Sequence, residues 1–180
     1  IHFVDTPAEH LDPERRRVTT ADGLTFSYDV AAIDIGAQNP GFIPNAVPTK
    51  PLYRVETLEE RIQSALNRRN ATIRLVIAGG GAVGVDLALN VISRFKRHDR
   101  SEALSLTLVE GAPRLLPGFP ASMSAYVTKH LEARGASIVC STQVDGIRDG
   151  AALLNDERRL PTDLVLWSTG SVGPALFEDA

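Results

Sequence analysis

The chain has 180 residues, 43% of them apolar, which is enough to bury the core of one domain and part of a second and excludes a disordered polymer. A formal charge of -3 and a pI near 5.8 provide no basic field of the kind that follows a phosphate backbone, so nucleic acid is excluded as a partner. The single cysteine, Cys140, cannot form an internal disulfide or a CxxC pair and reads as core, and no apolar run reaches the roughly 18 residues that span a bilayer.

Ile1-His2-Phe3-Val4-Asp5 lacks the charged-then-apolar form of a signal peptide, and the chain is expected to be cytoplasmic. It starts without methionine and stops soon after a strand-like run, so both ends read as cut from a longer protein. Residues 15 to 36 predict a hairpin: Arg17-Val18-Thr19-Thr20, a turn at Ala21-Asp22-Gly23, Leu24 to Tyr28, then an apolar strand Val30-Ala31-Ala32-Ile33 ending at Gly36. Residues 37 to 51, with Pro40, Gly41, Pro44, Pro48 and Pro51, have linker composition.

Thr57-Leu58-Glu59-Glu60 has the capping-box form, and Leu58, Ile62 and Leu66 follow at helical spacing, which predicts a helix over about 57 to 69. Ile73 to Ala78 predicts a buried strand, and Ala82 to about Lys96 a second helix with Val83, Leu87, Val91 and Phe95 on one face. Leu104 to Glu110 is a second strand, Pro113 to Pro120 a loop, Ser122 to Arg134 a third helix and Ser137 to Cys140 a third strand. This is the βαβ rhythm of a Rossmann-like parallel sheet, an α/β fold. Residues 142 to 160, with a turn at Asp149-Gly150, read instead as an antiparallel β-meander. Asp29 to Gly36 is echoed by Asp163 to Gly170 in an aspartate, an apolar strand and a glycine at the same spacing, which suggests two domains of similar plan.

Gly79-Gly80-Gly81-Ala82-Val83-Gly84 matches G-x-G-x-x-G between a predicted strand and a predicted helix. Gly79 permits the tight turn, Gly81 lets backbone approach a pyrophosphate, and Gly84 lets the helix pack closely on the strand. The helix N-terminus offers N–H groups to the phosphates. A glycine-rich turn without a ligand is the bland alternative. Glu110 ends the second strand, where an acid can accept hydrogen bonds from the adenosine ribose; a solvated strand end is the alternative. Asp86 follows Gly84 in the first helical turn, where a dipole role explains it as well as a functional one does. Arg114 could reach a phosphate but suits solvated surface better, and the four histidines show neither metal spacing nor a partnered nucleophile.

In these ordered features, from Tyr28-Asp29 through Val76 to Asp86, Leu106 to Glu110, Leu115-Leu116-Pro117 and Asp163 to Gly170, the chain resembles the pyridine nucleotide-disulfide oxidoreductase superfamily, and within it the type II NADH dehydrogenase-like flavoproteins. Asp34-Ile35-Gly36 and Lys50-Pro51 are most similar to a branch fused to selenide, water dikinase. The resemblance implies an FAD domain interrupted by an NAD(P) domain: residues 1–50 the tail of the FAD-binding part and a linker, 51–171 the NAD(P)-binding domain, 172–180 the start of the return. It implies pyrophosphate on Gly79 to Gly84, Glu110 on the ribose, Val144 near the adenine, Gly170 at the end of the strand on the nicotinamide side, and Asp86 near the nicotinamide where relatives usually carry glutamate, with Gly111 also among the cofactor-binding residues. The implied cofactors are NAD(H), preferred over NADP(H), and FAD in the full-length parent. Its implied partners are the missing FAD and interface segments of that parent, with a homodimer and peripheral membrane association allowed.

The first FAD glycine motif, any CxxC and the later Gly-Asp flavin motif are absent from these residues, and none reads as an acid, base or nucleophile. The function expected is the NAD(H)-binding domain of an FAD-dependent NAD(P)H oxidoreductase, inactive alone. A dinucleotide-sensing Rossmann module is the alternative, and a methyltransferase accounts for Glu110 but not for the meander.

Overall fold

A turn at Ala21-Asp22-Gly23 organises the N-terminal residues. In the computed structural model, which describes residues 1–41, 43–50, 56–67, 72–173 and 176 (of 56, 57, 65 and 66 the backbone only), Ala8–Asp12 (β1), Arg17–Thr20 (β2) and Thr25–Ser27 (β3) form an antiparallel sheet in that order. Thr20 Oγ1 donates to Asp22 Oδ1 at 2.5 Å and Gly23 N to Thr20 O at 2.8 Å, which closes the turn. β1 has no apolar alternation, and Leu11 is its one buried residue. The strand expected over Val30 to Ile33 does not form: Val30 is 88% exposed and Ile33 47%. An apolar strand of a parallel sheet needs neighbours to satisfy its backbone, and no described residue offers it one. Gln38 and Val172 form an isolated bridge, N to O 3.0 Å both ways, and residues 1–38 with 172–180 make up one compact unit. Most of 174–180 lies outside the described residues.

The second unit, residues 39–171, contains Val47–Pro48 (β4), Glu56–Asn67 (α1), Ile73–Ala78 (β5), Ala82–Arg97 (α2), Leu104–Glu110 (β6), Ala121–Glu132 (α3), Ser137–Cys140 (β7), Val144–Arg148 (β8), Ala151–Leu154 (β9), Arg159–Pro161 (β10) and Leu164–Trp167 (β11). Five strands pair in parallel in the order β4-β11-β5-β6-β7, and β8, β9 and β10 form the antiparallel meander. Both faces of the sheet are covered, and β5 and β11 are buried on both faces over most of their length, while β6 carries Ser105 and Thr107. Leu75, Ile77, Leu106, Leu108, Leu164 and Leu166 face the helices, packing with Leu58, Ile62, Ala88, Phe95 and Leu131. Their neighbours Val76, Ala78, Val109, Val165 and Trp167 face the meander, with Val144, Ala152 and Leu154.

Two expectations change in detail. Residues 39–50, read as linker, fold into this unit, since Val47 and Pro48 pair with Leu166 and Trp167 of β11. The buried face of α2 is Gly84, Val85, Ala88, Val91, Ile92 and Phe95, while Val83 is 42% exposed and Leu87 half-buried. A stripe at every fourth residue drifts around a helix of 3.6 residues per turn, so only its later members reach the sheet. The side chains of Thr57 and Leu66, residues 68–69 of the expected helix and Pro51 lie outside the described residues.

Candidate functional site

β5 ends in the glycine turn and α2 begins from it. Gly79 has φ +107°, a conformation L side chains rarely adopt, and a Cβ there would come within 2.9 Å of Ser168 C and O. Gly79 N donates to Val109 O at 2.8 Å, Ser168 N to Ala78 O at 2.8 Å, and Ser168 Oγ to Gly79 O at 2.9 Å, so the turn is held by the strands on both sides. A Cβ on Gly84 would lie 1.8 Å from Gly79 O, which is why the helix can start so close to the strand. Gly80, expected with the rest of the turn on the pyrophosphate, is equally crowded: its Cβ would lie 2.5 Å from Leu115 Cδ2 and 2.9 Å from Glu110 Cβ. Gly81 differs, because a Cβ there meets nothing within 4 Å. It caps α2 with no side-chain hydrogen bond, which leaves the first-turn N–H groups directed at the space before the turn.

Glu110 closes β6 beside that turn. Its Oε2 accepts from Gly80 N at 2.6 Å and its Oε1 from Ala112 N at 2.8 Å. Each carboxylate oxygen keeps a second lone pair for a ligand hydroxyl. Thr142, 2% exposed, shapes the next loop: its Oγ1 donates to Asn155 Oδ1 at 2.6 Å, and Gln143 N donates to the same oxygen at 3.1 Å. Arg114 is committed elsewhere, donating to Leu116 O, Pro117 O and Phe119 O at 2.9 to 3.0 Å. Burial, then the charge of Glu110, push the Cys140 thiol up from its ordinary value, so it is a neutral thiol at pH 7 and a poor nucleophile.

Past β11, Asn39 and Thr49 hold the chain by hydrogen bonds that no sequence motif announces. Asn39 Nδ2 donates to Thr169 O at 3.1 Å and Gly170 O at 3.3 Å, and its Oδ1 accepts from Lys50 N at 2.9 Å. Thr49 Oγ1 and Thr49 N each lie 3.1 Å from Trp167 O, and Trp167 Nε1 donates to Pro40 O at 3.0 Å.

These parts surround one cavity of about 650 Å³, in the size range of a small-molecule site. Gly79, Gly81, Glu110, Gly111, Val144 and Gly170 line it together. Gly80 and Gly84 pack beneath it, and Ala82 and Val83 are exposed at the start of α2. Asp86 does not line it. That residue is the fifth of the helix, past the first turn, exposed, and accepts from Asn90 Nδ2 at 3.1 Å. Asp145 also lines the cavity, from β8, and no sequence motif singles it out. The charged residues among the lining are therefore Glu110 and Asp145, both acidic. No helix among the described residues is long and apolar enough to cross a membrane.

The chain is 21% identical over 200 residues to a type II NADH:quinone oxidoreductase of Staphylococcus saprophyticus, covering 100% of this chain and 50% of that protein. A second, from Haemophilus influenzae, is 29% identical over 120 residues, covering 62% of this chain and 27% of that one. The chain thus spans about half the length, or less, of the curated relatives it matches. In fold it is similar to NDH2 from Plasmodium falciparum in complex with NADH, with TM-score 0.79 and 16% identity over 98% of this chain and 42% of that one. The sulfide:quinone oxidoreductase of Aquifex aeolicus gives TM-score 0.80 and 17% identity over 99% and 44%. Residues 2–178 match the pyridine nucleotide-disulphide oxidoreductase family, and on a match that runs over nearly its whole length the chain belongs to that family.

Proposed function

We propose that residues 39–171 bind a nicotinamide dinucleotide for a flavin-dependent NAD(P)H oxidoreductase, with NADH preferred to NADPH. The observation that carries this reading is the contrast within the glycine turn: three glycines crowded by protein atoms, and Gly81 open to the cavity at an uncapped helix N-terminus. A pyrophosphate fits that place, where N–H groups and the helix dipole favour negative charge. Glu110 then marks the adenosine half, its free lone pairs accepting from the ribose hydroxyls, with Gly111 and Val144 toward the adenine. The other half runs toward Thr169 and Gly170. Bound there, the nicotinamide supplies a hydride for the parent's flavin. This chain contributes binding and orientation rather than an acid or base.

In this reading FAD belongs to the parent protein, of which residues 1–38 and 172–180 supply part of the flavin domain, and residues 39–171 correspond to the NAD(P) domain. Peripheral association with a membrane is likewise a property of the parent. Glu110 and Asp145 would face a 2′-phosphate, and Arg114 is held away by three carbonyls. Like charges in an interface cost several kcal/mol, and each 1.4 kcal/mol is about tenfold. Calorimetric titration with NADH and NADPH should therefore show a preference well above about tenfold for NADH. Equal dissociation constants would remove Glu110 from the ribose, and unchanged affinity in Gly81→Val would remove the turn from the site.

A further inference from the structure

Asn39 lies 40 residues before the glycine turn, yet it is 8% exposed and bonded on both sides of its amide. The oxygen is used by the main chain of Lys50 and the hydroxyl of Thr49, which is itself 4% exposed and tied to Trp167 O. The nitrogen is used by the carbonyls of Thr169 and Gly170, both of which line the cavity. Among the described residues no other donor reaches either carbonyl. Gly170 sits at φ +47° with Pro40 directly behind it, where a Cβ would lie 3.1 Å from Pro40 Cγ. One buried amide and one proline therefore decide where this stretch of cavity wall stands.

We infer that Asn39 is a positioning residue for the half of the dinucleotide farthest from adenosine, setting the wall against which the nicotinamide lies. The inference rests on the dinucleotide reading and adds a residue that the glycine motif does not contain. Its selectivity follows from the layout. The adenosine half depends on Glu110, on the loop held by Thr142 and Asn155, and on the start of α2, and none of these shares a hydrogen bond with Asn39. Loss of the Asn39 donors should therefore loosen one end of the site and leave the other in place.

Asn39→Asp separates the two sides of the amide. It keeps the size and an oxygen for Lys50 N–H and the Thr49 hydroxyl, and sets a second oxygen against the Thr169 and Gly170 carbonyls. The test titrates the whole chain, parent and variant, with NADH and with ADP-ribose, which lacks the nicotinamide. NADH should bind about tenfold more weakly to the variant and ADP-ribose within about twofold of the parent. Equal losses for both ligands, or no loss for either, overturn the role of Asn39 while leaving the dinucleotide reading intact. A parent chain that binds neither ligand overturns that reading and this inference with it. Should Asn39→Asp lose its cooperative melt, Thr49→Val decides: it removes the hydroxyl between Asn39 Oδ1 and Trp167 O, and should show the same split with a smaller ratio. No split there overturns the proposal.

Discussion

Gly81 and Gly84 stand three residues apart and answer to different neighbours. A methyl on Gly84 would lie 1.8 Å from a backbone oxygen, which no rotamer relieves, so Gly84→Ala must shift α2 away from β5 and should cost about 1–3 kcal/mol. A methyl on Gly81 meets nothing within 4 Å. Replacing glycine by alanine at a helix N-cap costs no more than about 1 kcal/mol, so Gly81→Ala should fold much as the parent does. Its methyl would stand where the pyrophosphate is placed, and NADH affinity should fall by more than about tenfold. Thermal melts and calorimetry on the two variants separate the roles: Gly84→Ala should lose stability first, Gly81→Ala affinity first. Parental affinity in Gly81→Ala would show that no phosphate lies against that backbone.

The elements differ in what holds them. β5 is pinned to the start of β11 by Asp163, whose Oδ2 accepts from Arg74 N at 2.8 Å and Arg74 Nε at 3.0 Å, and whose Oδ1 accepts from Arg74 Nη2 at 2.6 Å. The hydrogen bonds from the Arg74 side chain, opposed by burial, hold the Asp163 carboxyl below its ordinary value. A depressed carboxylate stabilises the fold above its unfolded pKa, about 3.9, and that share is lost as pH falls through the folded value. Both side chains are more than 40% exposed, so screening limits the share to about 1 kcal/mol or less. Urea midpoints of the parent and Asp163→Asn should therefore differ at pH 7, and the gap should narrow as pH falls below the unfolded value of about 3.9; a gap that does not change would assign the effect to packing. The aspartate, apolar strand and glycine that make β11 also occur at Asp29 to Gly36, and there no strand forms. β5, β6 and β7 were legible from residue types alone because short, mostly apolar runs alternate there with helical periods, although β7 closes the sheet with β6 as its one strand partner. Strand pairing is not written in the pairing strand, so Val30 to Ile33 was overread and Val47–Pro48 missed. The site divides the same way. Gly79 to Gly84 and Glu110 form a local pattern with a mechanism, whereas Asn39 and Thr49 gain meaning only from residues over a hundred positions away, and Asp145 only from where β8 meets the cavity.

At the scale of the whole molecule, the two compact units are unequal in kind. Residues 39–171 have a sheet covered on both faces and a lined cavity, while residues 1–38 with 172–180 carry three short antiparallel strands and an apolar run, Val30 to Ile35, that is largely exposed. Binding and turnover should therefore separate. NADH binding, as proposed, needs the glycine turn, Glu110 and the β11 end, all present in the larger unit, whereas hydride acceptance needs a flavin, which the proposed function assigns to the rest of the parent protein. The purified chain is expected to be colourless, to bind NADH and to leave it unoxidised when quinone or dye acceptors are added. Absorbance at 450 nm reads the first property, calorimetry the second and loss of 340 nm absorbance the third. Copurified FAD with steady turnover would place a flavin site in these 180 residues and overturn the division of labour. Absence of NADH binding in a chain that melts cooperatively would instead overturn the dinucleotide site itself.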